Sequence, residues 1–288
     1  MIPMNEEATS HLITITEGPL TDFKIHYNDD GGNGEVVALL HGSGAGASSW
    51  ANFNANVDAF RAAGFRVLLI DLPGWGKSDP IVIETGSRGI VNAAAVKGVL
   101  DKLGIDKVYL VGNSMGGIAA LQFVVSYPNR VIKLVTMGGA AGGANILTPM
   151  PTEGIKRLNE LYIEPTEANL DRMLDIFVYD TSRLTKELRE MRYENMIRRP
   201  DHLENFAKTL RVNPTHQLVP QVPGALGSIK VPVLIVWGSS DRFVPLEAGM
   251  RLLAIPNSQL HVFNQCGHWA QWEHAAAFNR LVVDFLKG

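Results

Sequence analysis

Val108-Tyr109-Leu110-Val111-Gly112-Asn113-Ser114-Met115-Gly116-Gly117 is the stretch whose reading decides the fold. Four β-favouring residues run into a G-x-S-x-G pentapeptide, and residues 115–127 then follow a helical apolar period. Small residues two positions either side of the serine suit such a strand-to-helix turn. Larger side chains there would collide with neighbouring backbone, and the strained turn lifts the hydroxyl clear of the sheet. A bare pentapeptide would fit an incidental glycine-rich turn equally well; the strand before it and the helix after it favour Ser114 as a nucleophile.

Outward from this turn, β-rich runs at 12–16, 23–27, 36–40, 67–70, 131–137, 233–237 and 260–263 join 108–111 to give eight expected strands. Helix-period segments at 87–103, 115–127 and 270–286 alternate with the later strands, which predicts an α/β fold with a mostly parallel sheet. The first two strands are expected to pair as an antiparallel hairpin. Strand-helix alternation fails between 145 and 230, where helical patterns follow one another, so this segment is read as an inserted helical cap on a core of 1–144 and 231–288. Gly138, Gly139, Gly142 and Gly143 precede it, and Pro220, Pro223, Gly224 and Gly227 mark its end.

Serine is a poor nucleophile until a base takes its proton, and that base needs an orienting acid. His268, in Cys266-Gly267-His268-Trp269, follows the last expected strand and so opens onto the same sheet edge as Ser114. Asp241 follows the strand at 233–237 and lies between serine and histidine in chain order, as the acid does in triads built on this turn. Asp71 is the rival acid, but it precedes the serine and sits in the tight turn Asp71-Leu72-Pro73-Gly74. His11, His26, His202, His216, His261 and His274 are read as structural or solvent-facing. The loop His41-Gly42-Ser43-Gly44-Ala45-Gly46 follows a strand and can aim backbone N–H groups at a developing oxyanion; Gly44 and Met115 are taken as the two donors. A phosphate-loop reading of these glycines fails, because no G-x-x-x-x-G-K-[ST] is present.

The same segments carry a resemblance. His41-Gly42-Ser43-Gly44, Trp50-Ala51-Asn52-Phe53, Gly112 to Gly117, Pro149-Met150-Pro151-Thr152-Glu153-Gly154, Asp241-Arg242-Phe243-Val244-Pro245 and Cys266-Gly267-His268-Trp269-Ala270-Gln271-Trp272-Glu273-His274 are similar to the meta-cleavage product hydrolases, carbon–carbon bond hydrolases with the α/β-hydrolase fold. The resemblance spans nearly the whole chain. It implies catalysis without metal or other cofactor on a small-molecule dienoate made by ring-cleaving dioxygenases. Asn52 and Asn113 would bind the dienoate's oxygens, Arg192 its carboxylate, and Phe177 and Trp269 would line the pocket. A homodimer or higher homo-oligomer is also implied. On composition alone Arg192 would instead be a solvated surface arginine, Phe177 a core residue and Trp269 packing for the His268 loop.

Segments 148–159 and 175–182 look closest to the branch that handles 2-hydroxy-6-oxonona-2,4-dienedioate. Ala45 stands where many relatives have proline, and Ile118 where that branch can have histidine, so a phenyl- or alkyl-substituted dienoate remains an alternative. A general carboxylesterase would share the triad. A haloalkane dehalogenase would need aspartate in place of Ser114, and a non-enzymatic binding role fits poorly with an intact triad.

Composition narrows the remaining classes. The 288 residues are 46% hydrophobic and 19% charged, with a formal charge of −3 and scattered Lys and Arg, which offers no basic face to nucleic acid. Cys266 is the only cysteine, so no intrachain disulfide is possible. The acidic N-terminus lacks the pattern of a secretory signal and no apolar run reaches the length of a membrane span, giving the expectation of a cytoplasmic protein without membrane contact.

Overall fold

The computed structural model describes residues 4–139, 151–214 and 223–288. Its single sheet contains β1 (Ser10–Glu17), β2 (Leu20–Asp29), β3 (Val36–Leu40), β4 (Arg66–Ile70), β5 (Val108–Asn113), β6 (Val131–Met137), β7 (Val233–Gly238) and β8 (Ser258–Phe263), in the order β1-β2-β4-β3-β5-β6-β7-β8. Only β1–β2 and β2–β4 pair antiparallel; the other five pairings are parallel. Every expected strand is present, and the hairpin carries an irregularity between Ile15 and Glu17. In β3, β5 and β7 every residue is buried, which explains why these strands read as continuous apolar runs: helices cover both faces.

The helices are α1 (Ser49–Ala62), α2 (Arg88–Lys102), α3 (Met115–Ser126), α4 (Glu153–Ile163), α5 (Glu167–Phe177), α6 (Lys186–Arg198), α7 (Pro200–Val212), α8 (Leu246–Met250), α9 (Ala270–Glu273) and α10 (Ala275–Lys287). Two differ from the sequence expectation. Residues 270–286, read as one helix, break at His274, whose backbone lies outside the helical region (φ −118°, ψ 37°). Helix α1 was not foreseen; its apolar residues are interrupted by the buried Asn52 and Asn56, which blur the period.

Helices α4–α7 lie between β6 and β7 in the chain. Thr152, Thr166 and Thr185 accept N–H bonds from the first turns of α4, α5 and α6, and Glu153, Glu167 and Glu187 in those turns suit the positive end of the helix dipole. These helices are tied to the core by backbone bonds from Gly154 to Arg242 (3.1 Å) and from His268 to Phe177 (2.7 Å). Residue 145, Gly142, Gly143, Pro149, Met150, His216 and Pro220 fall outside the described residues.

Asp71 anchors the start of α1 to β2 and to the loop after β4. One oxygen accepts the Ser49 N–H (2.8 Å), the other the Lys77 N–H (3.0 Å) and the His26 Nδ1 contact (2.8 Å). Burial would raise its pKa, but the bond and charge of His26 and the Ser49 N–H outweigh it and hold the carboxyl below the ordinary value. A depressed carboxylate stabilises the fold above its unfolded pKa and loses that contribution as pH falls through the folded one. Asp71→Asn should therefore lower the unfolding free energy at neutral pH by on the order of 2 kcal/mol. Its stability, followed by denaturant titration from pH 7 to pH 3, should also fall less steeply with acid than that of the wild type.

Candidate active site

Ser114 occupies the turn between β5 and α3 with φ 51° and ψ −115°, a conformation that a non-glycine residue reaches only under constraint. Its N–H donates to the Met137 carbonyl at 2.7 Å, locking the turn to β6. The flanking glycines are required by contact. A Cβ on Gly112 would stand 2.3 Å from the Gly116 carbonyl oxygen, and one on Gly116 would stand 2.1 Å from that of Leu40. The absence of side chains lets α3 start directly against the end of β3, where the His41–Gly46 loop begins.

That loop is braced from several directions. The His41 ring is fully buried and burial lowers its pKa, keeping it neutral; Nε2 accepts the Leu72 N–H (2.9 Å), so Nδ1–H donates to the Gly42 carbonyl (2.7 Å). Asn52 Oδ1 accepts the Gly42 N–H at 3.0 Å. The Gly42 N–H is thus committed, and the Gly44 N–H lies beside the Tyr162 hydroxyl. Ser43 lines one cavity with Ser114 and Met115, a placement the sequence reading did not single out.

His268 Nδ1 lies 2.7 Å from Asp241 Oδ2, both side chains being buried. The other Asp241 oxygen accepts the N–H groups of Phe243 (2.8 Å) and Val244 (2.9 Å), which fixes the carboxylate at the start of the loop after β7. The ring of His268 packs beside Gly138, where a Cβ would stand 2.6 Å from its Cε1; Gly138 follows the residue that holds Ser114. Among the described residues Nε2 of His268 has no hydrogen-bond partner, leaving it free to take a proton. The rival acid Asp71 is engaged by His26, not by His268.

The residues expected to hold substrate gather around this core. Phe177 stacks on Trp269 (4.6 Å between centroids), on Phe243 (5.0 Å) and on His268 (5.5 Å). Asn113 is buried at the end of β5; its Nδ2 donates to the His268 carbonyl (3.4 Å) and its Oδ1 has no partner among the described residues. Arg192, on α6, is 1% exposed, with its guanidinium 4.9 Å above the Trp269 ring and one bond to the Gly46 carbonyl (3.2 Å). Its Nε is unpartnered among the described residues, and burial alone lowers its pKa to about 10, with no carboxylate beside it to offset that. The composition-based reading of a solvated arginine is overturned: α6 places this side chain inward.

Glu273 was missed. It is buried, one oxygen accepts the Gly267 N–H (2.7 Å) and the other the Tyr179 N–H (2.7 Å), so a single carboxylate joins the His268 loop to the chain leaving α5. An acid five residues after the expected base was the available signal. Among the described residues no group of three His, Cys, Asp or Glu is arranged to hold a metal, and no helix is long and apolar enough to cross a membrane. If Asp241 fixes the tautomer of His268, Asp241→Asn should depress kcat by about three to four orders of magnitude while the thermal transition stays within a few degrees of wild type. Steady-state kinetics beside calorimetry would check both; a small kcat effect would remove Asp241 from the chemistry.

Residues 35–275 match the model of the alpha/beta hydrolase fold family. A 2-hydroxy-6-oxononadienedioate/2-hydroxy-6-oxononatrienedioate hydrolase of Cupriavidus pinatubonensis is 56% identical over 284 residues, 98% of this chain and 97% of its own. The enzyme of the same name from Klebsiella pneumoniae is 56% identical over 99% of this chain and 98% of its own. Among solved structures, the meta-cleavage product hydrolase CumD of Pseudomonas fluorescens IP01 superposes with a TM-score of 0.84 at 32% identity, covering 96% of this chain and 97% of that one. The 2-hydroxy-6-oxo-6-phenylhexa-2,4-dienoate hydrolase of Rhodococcus sp. strain RHA1 gives 0.81 at 28% identity, covering 97% and 100%. With the fold, the serine turn and these relatives in agreement, the chain belongs to the α/β-hydrolase family and, within it, to the meta-cleavage product hydrolases.

Proposed function

We propose that the protein hydrolyses a carbon–carbon bond of a 2-hydroxy-6-oxo-2,4-dienoate, a ring-fission product of aromatic catabolism, by acyl-enzyme chemistry at Ser114 with His268 and Asp241. The observation that carries this reading is the buried guanidinium of Arg192, which has no carboxylate beside it among the described residues. An unpaired buried cation is costly, and a substrate carboxylate would offset that cost while being fixed by a planar two-pronged donor. The relatives' names supply the substrate class, since each names a compound with a carboxylate next to a dienol.

With the carboxylate held by Arg192, Asn52 and Asn113 meet the 2-oxygen, and Phe177 and Trp269 wall the diene. Conversion of the dienol to its keto form moves a proton from oxygen to the carbon beside the distal ketone, so that this carbon can later leave as a stabilised dienolate. Ser114 Oγ then attacks the ketone carbon as its proton passes to His268 Nε2, and Asp241 stabilises the resulting imidazolium. The N–H groups of Met115 and of the Ser43–Gly44 stretch take the oxyanion. Collapse breaks the carbon–carbon bond, with its electron pair going to the dienolate fragment, which takes the proton held by His268 and leaves as the hydroxypentadienoate. Water, activated by His268, releases the distal fragment as a carboxylic acid and restores the serine. Segment 145–230 serves as the cap that brings Arg192 and Phe177 to the reaction, on a core of 1–144 and 231–288. Assembly as a homo-oligomer and a cytoplasmic location belong to the same reading.

A general carboxylesterase would share all of this except the need for Arg192. Arg192→Ala should reduce kcat/KM for a dienoate by about a hundredfold, equivalent to roughly 3 kcal/mol of transition-state binding. Hydrolysis of a small uncharged ester should change far less. Equal losses on both substrates would point to a damaged cap, and no loss on the dienoate would remove the carbon–carbon reading.

A further inference from the structure

Helices α4, α5 and α6 all reach the His41–Gly46 loop. Gly46 lies against α6: a Cβ on it would stand 2.0 Å from the Arg192 carbonyl oxygen, and its own carbonyl accepts from Arg192 (3.2 Å) and from Asn195 Nδ2 (3.4 Å). Gly44 lies against α5, where a Cβ would stand 3.5 Å from the Met173 methyl and 3.8 Å from the Phe177 ring. The N–H of Gly44 meets α4, beside the hydroxyl of Tyr162.

Tyr162 is buried and held from behind. Its ring stacks on Phe206 of α7 with centroids 4.3 Å apart, and the Arg88 guanidinium sits 5.1 Å from the Phe206 centroid. Burial pushes the phenol far above its usual range, so it stays protonated and neutral. Among the described residues its oxygen has no competing hydrogen-bond partner. Buried hydroxyls are rarely left in that state, and the Gly44 N–H is the donor beside this one.

The peptide units of the loop decide what this contact does. The Gly42 carbonyl is taken by His41 Nδ1 (2.7 Å), and in a trans unit the N–H points the opposite way, so the Ser43 N–H is turned from the His41 ring. Ser43 lines one cavity with Ser114 and Met115. The following unit ends at Gly44, whose φ of 121° and missing Cβ offer little resistance to rotation. We propose, building on the acyl-enzyme reading above, that Tyr162 is a positioning residue for the oxyanion hole: its hydroxyl accepts the Gly44 N–H, holds the Ser43–Gly44 peptide still and so aims the Ser43 N–H at the oxygen that becomes negative when Ser114 attacks. Tyr162 acts through backbone and not on the head of the substrate, so its effect extends to any acyl transfer at Ser114. Arg192, by contrast, serves only substrates that bring a carboxylate.

Tyr162→Phe keeps the ring on Phe206 and removes only the oxygen. For a 2-hydroxy-6-oxo-2,4-dienoate and for a small uncharged aryl ester alike, kcat should fall by about tenfold, less than the roughly hundredfold lost with an oxyanion donor itself, while KM for the dienoate barely moves. The inhibition constant of an aryl trifluoromethyl ketone, whose hemiketal with Ser114 places an oxyanion in the hole, should rise by the same factor. A tyrosine that merely packs α4 would leave that constant where it was. An unchanged kcat on both substrates, or a lower kcat without weaker ketone binding, overturns the proposal. A loss confined to the dienoate overturns it too, because Tyr162 would then be acting on the head group, and the carbon–carbon reading would stand. If Tyr162→Phe does not fold, difluorotyrosine at the same position keeps the hydroxyl, weakens its oxygen as an acceptor and carries the same comparison with a smaller shift. Equal binding of the ketone by wild type and Ser114→Ala would remove the acyl-enzyme reading itself, and the proposal with it.

Discussion

Everything chemical in this protein hangs on the backbone of Ser114. Held at φ 51° between β5 and α3, the residue is kept in a region that costs energy of order 1–3 kcal/mol and persists only where the surroundings over-determine it. Those surroundings are identifiable. The Met137 carbonyl takes its N–H, and the bare α-carbons of Gly112 and Gly116 let the first turn of α3 press against β5 and the end of β3. The same crowding that strains the serine sets the His41–Gly46 loop beside it, so nucleophile and oxyanion donors are positioned by one packing arrangement.

Around that turn, polar groups divide into two populations. Asp71, His41, Glu273 and the Asp241 carboxylate are buried with their partners in place, and each fixes one part of the scaffold: the start of α1, the glycine loop, the junction of the His268 loop with the chain leaving α5, and the orientation of His268. Arg192 Nε, Asn113 Oδ1 and His268 Nε2 are buried without partners among the described residues. Buried polar atoms are rarely left unpaired, and a polar substrate seated between these three would complete them.

Much of this was legible in the sequence, for physical reasons. Fully covered strands such as β3 and β7 read as unbroken apolar runs, and the serine turn announces itself because its contacts admit only glycine at Gly112 and Gly116. Helix α1 was less legible, since Asn52 and Asn56 are buried for their hydrogen bonds and interrupt the apolar period. The break at His274 carries neither glycine nor proline to mark it. Arg192 shows the limit most clearly: α6 has few apolar residues, and which side of such a helix faces inward is set by tertiary packing, so residue pattern alone pointed to the surface. Glu273 works through backbone N–H groups of Gly267 and Tyr179, whose proximity no spacing rule encodes.

The central claim is that a hydroxyl at position 114 breaks a carbon–carbon bond. Single-turnover mixing of Ser114→Ala with a 2-hydroxy-6-oxo-2,4-dienoate, monitored both by the substrate chromophore and by the released hydroxypentadienoate, tests it most directly. The account predicts that the variant binds the dienoate with near wild-type affinity and releases product slower by several orders of magnitude. Product release at close to the wild-type rate would contradict it.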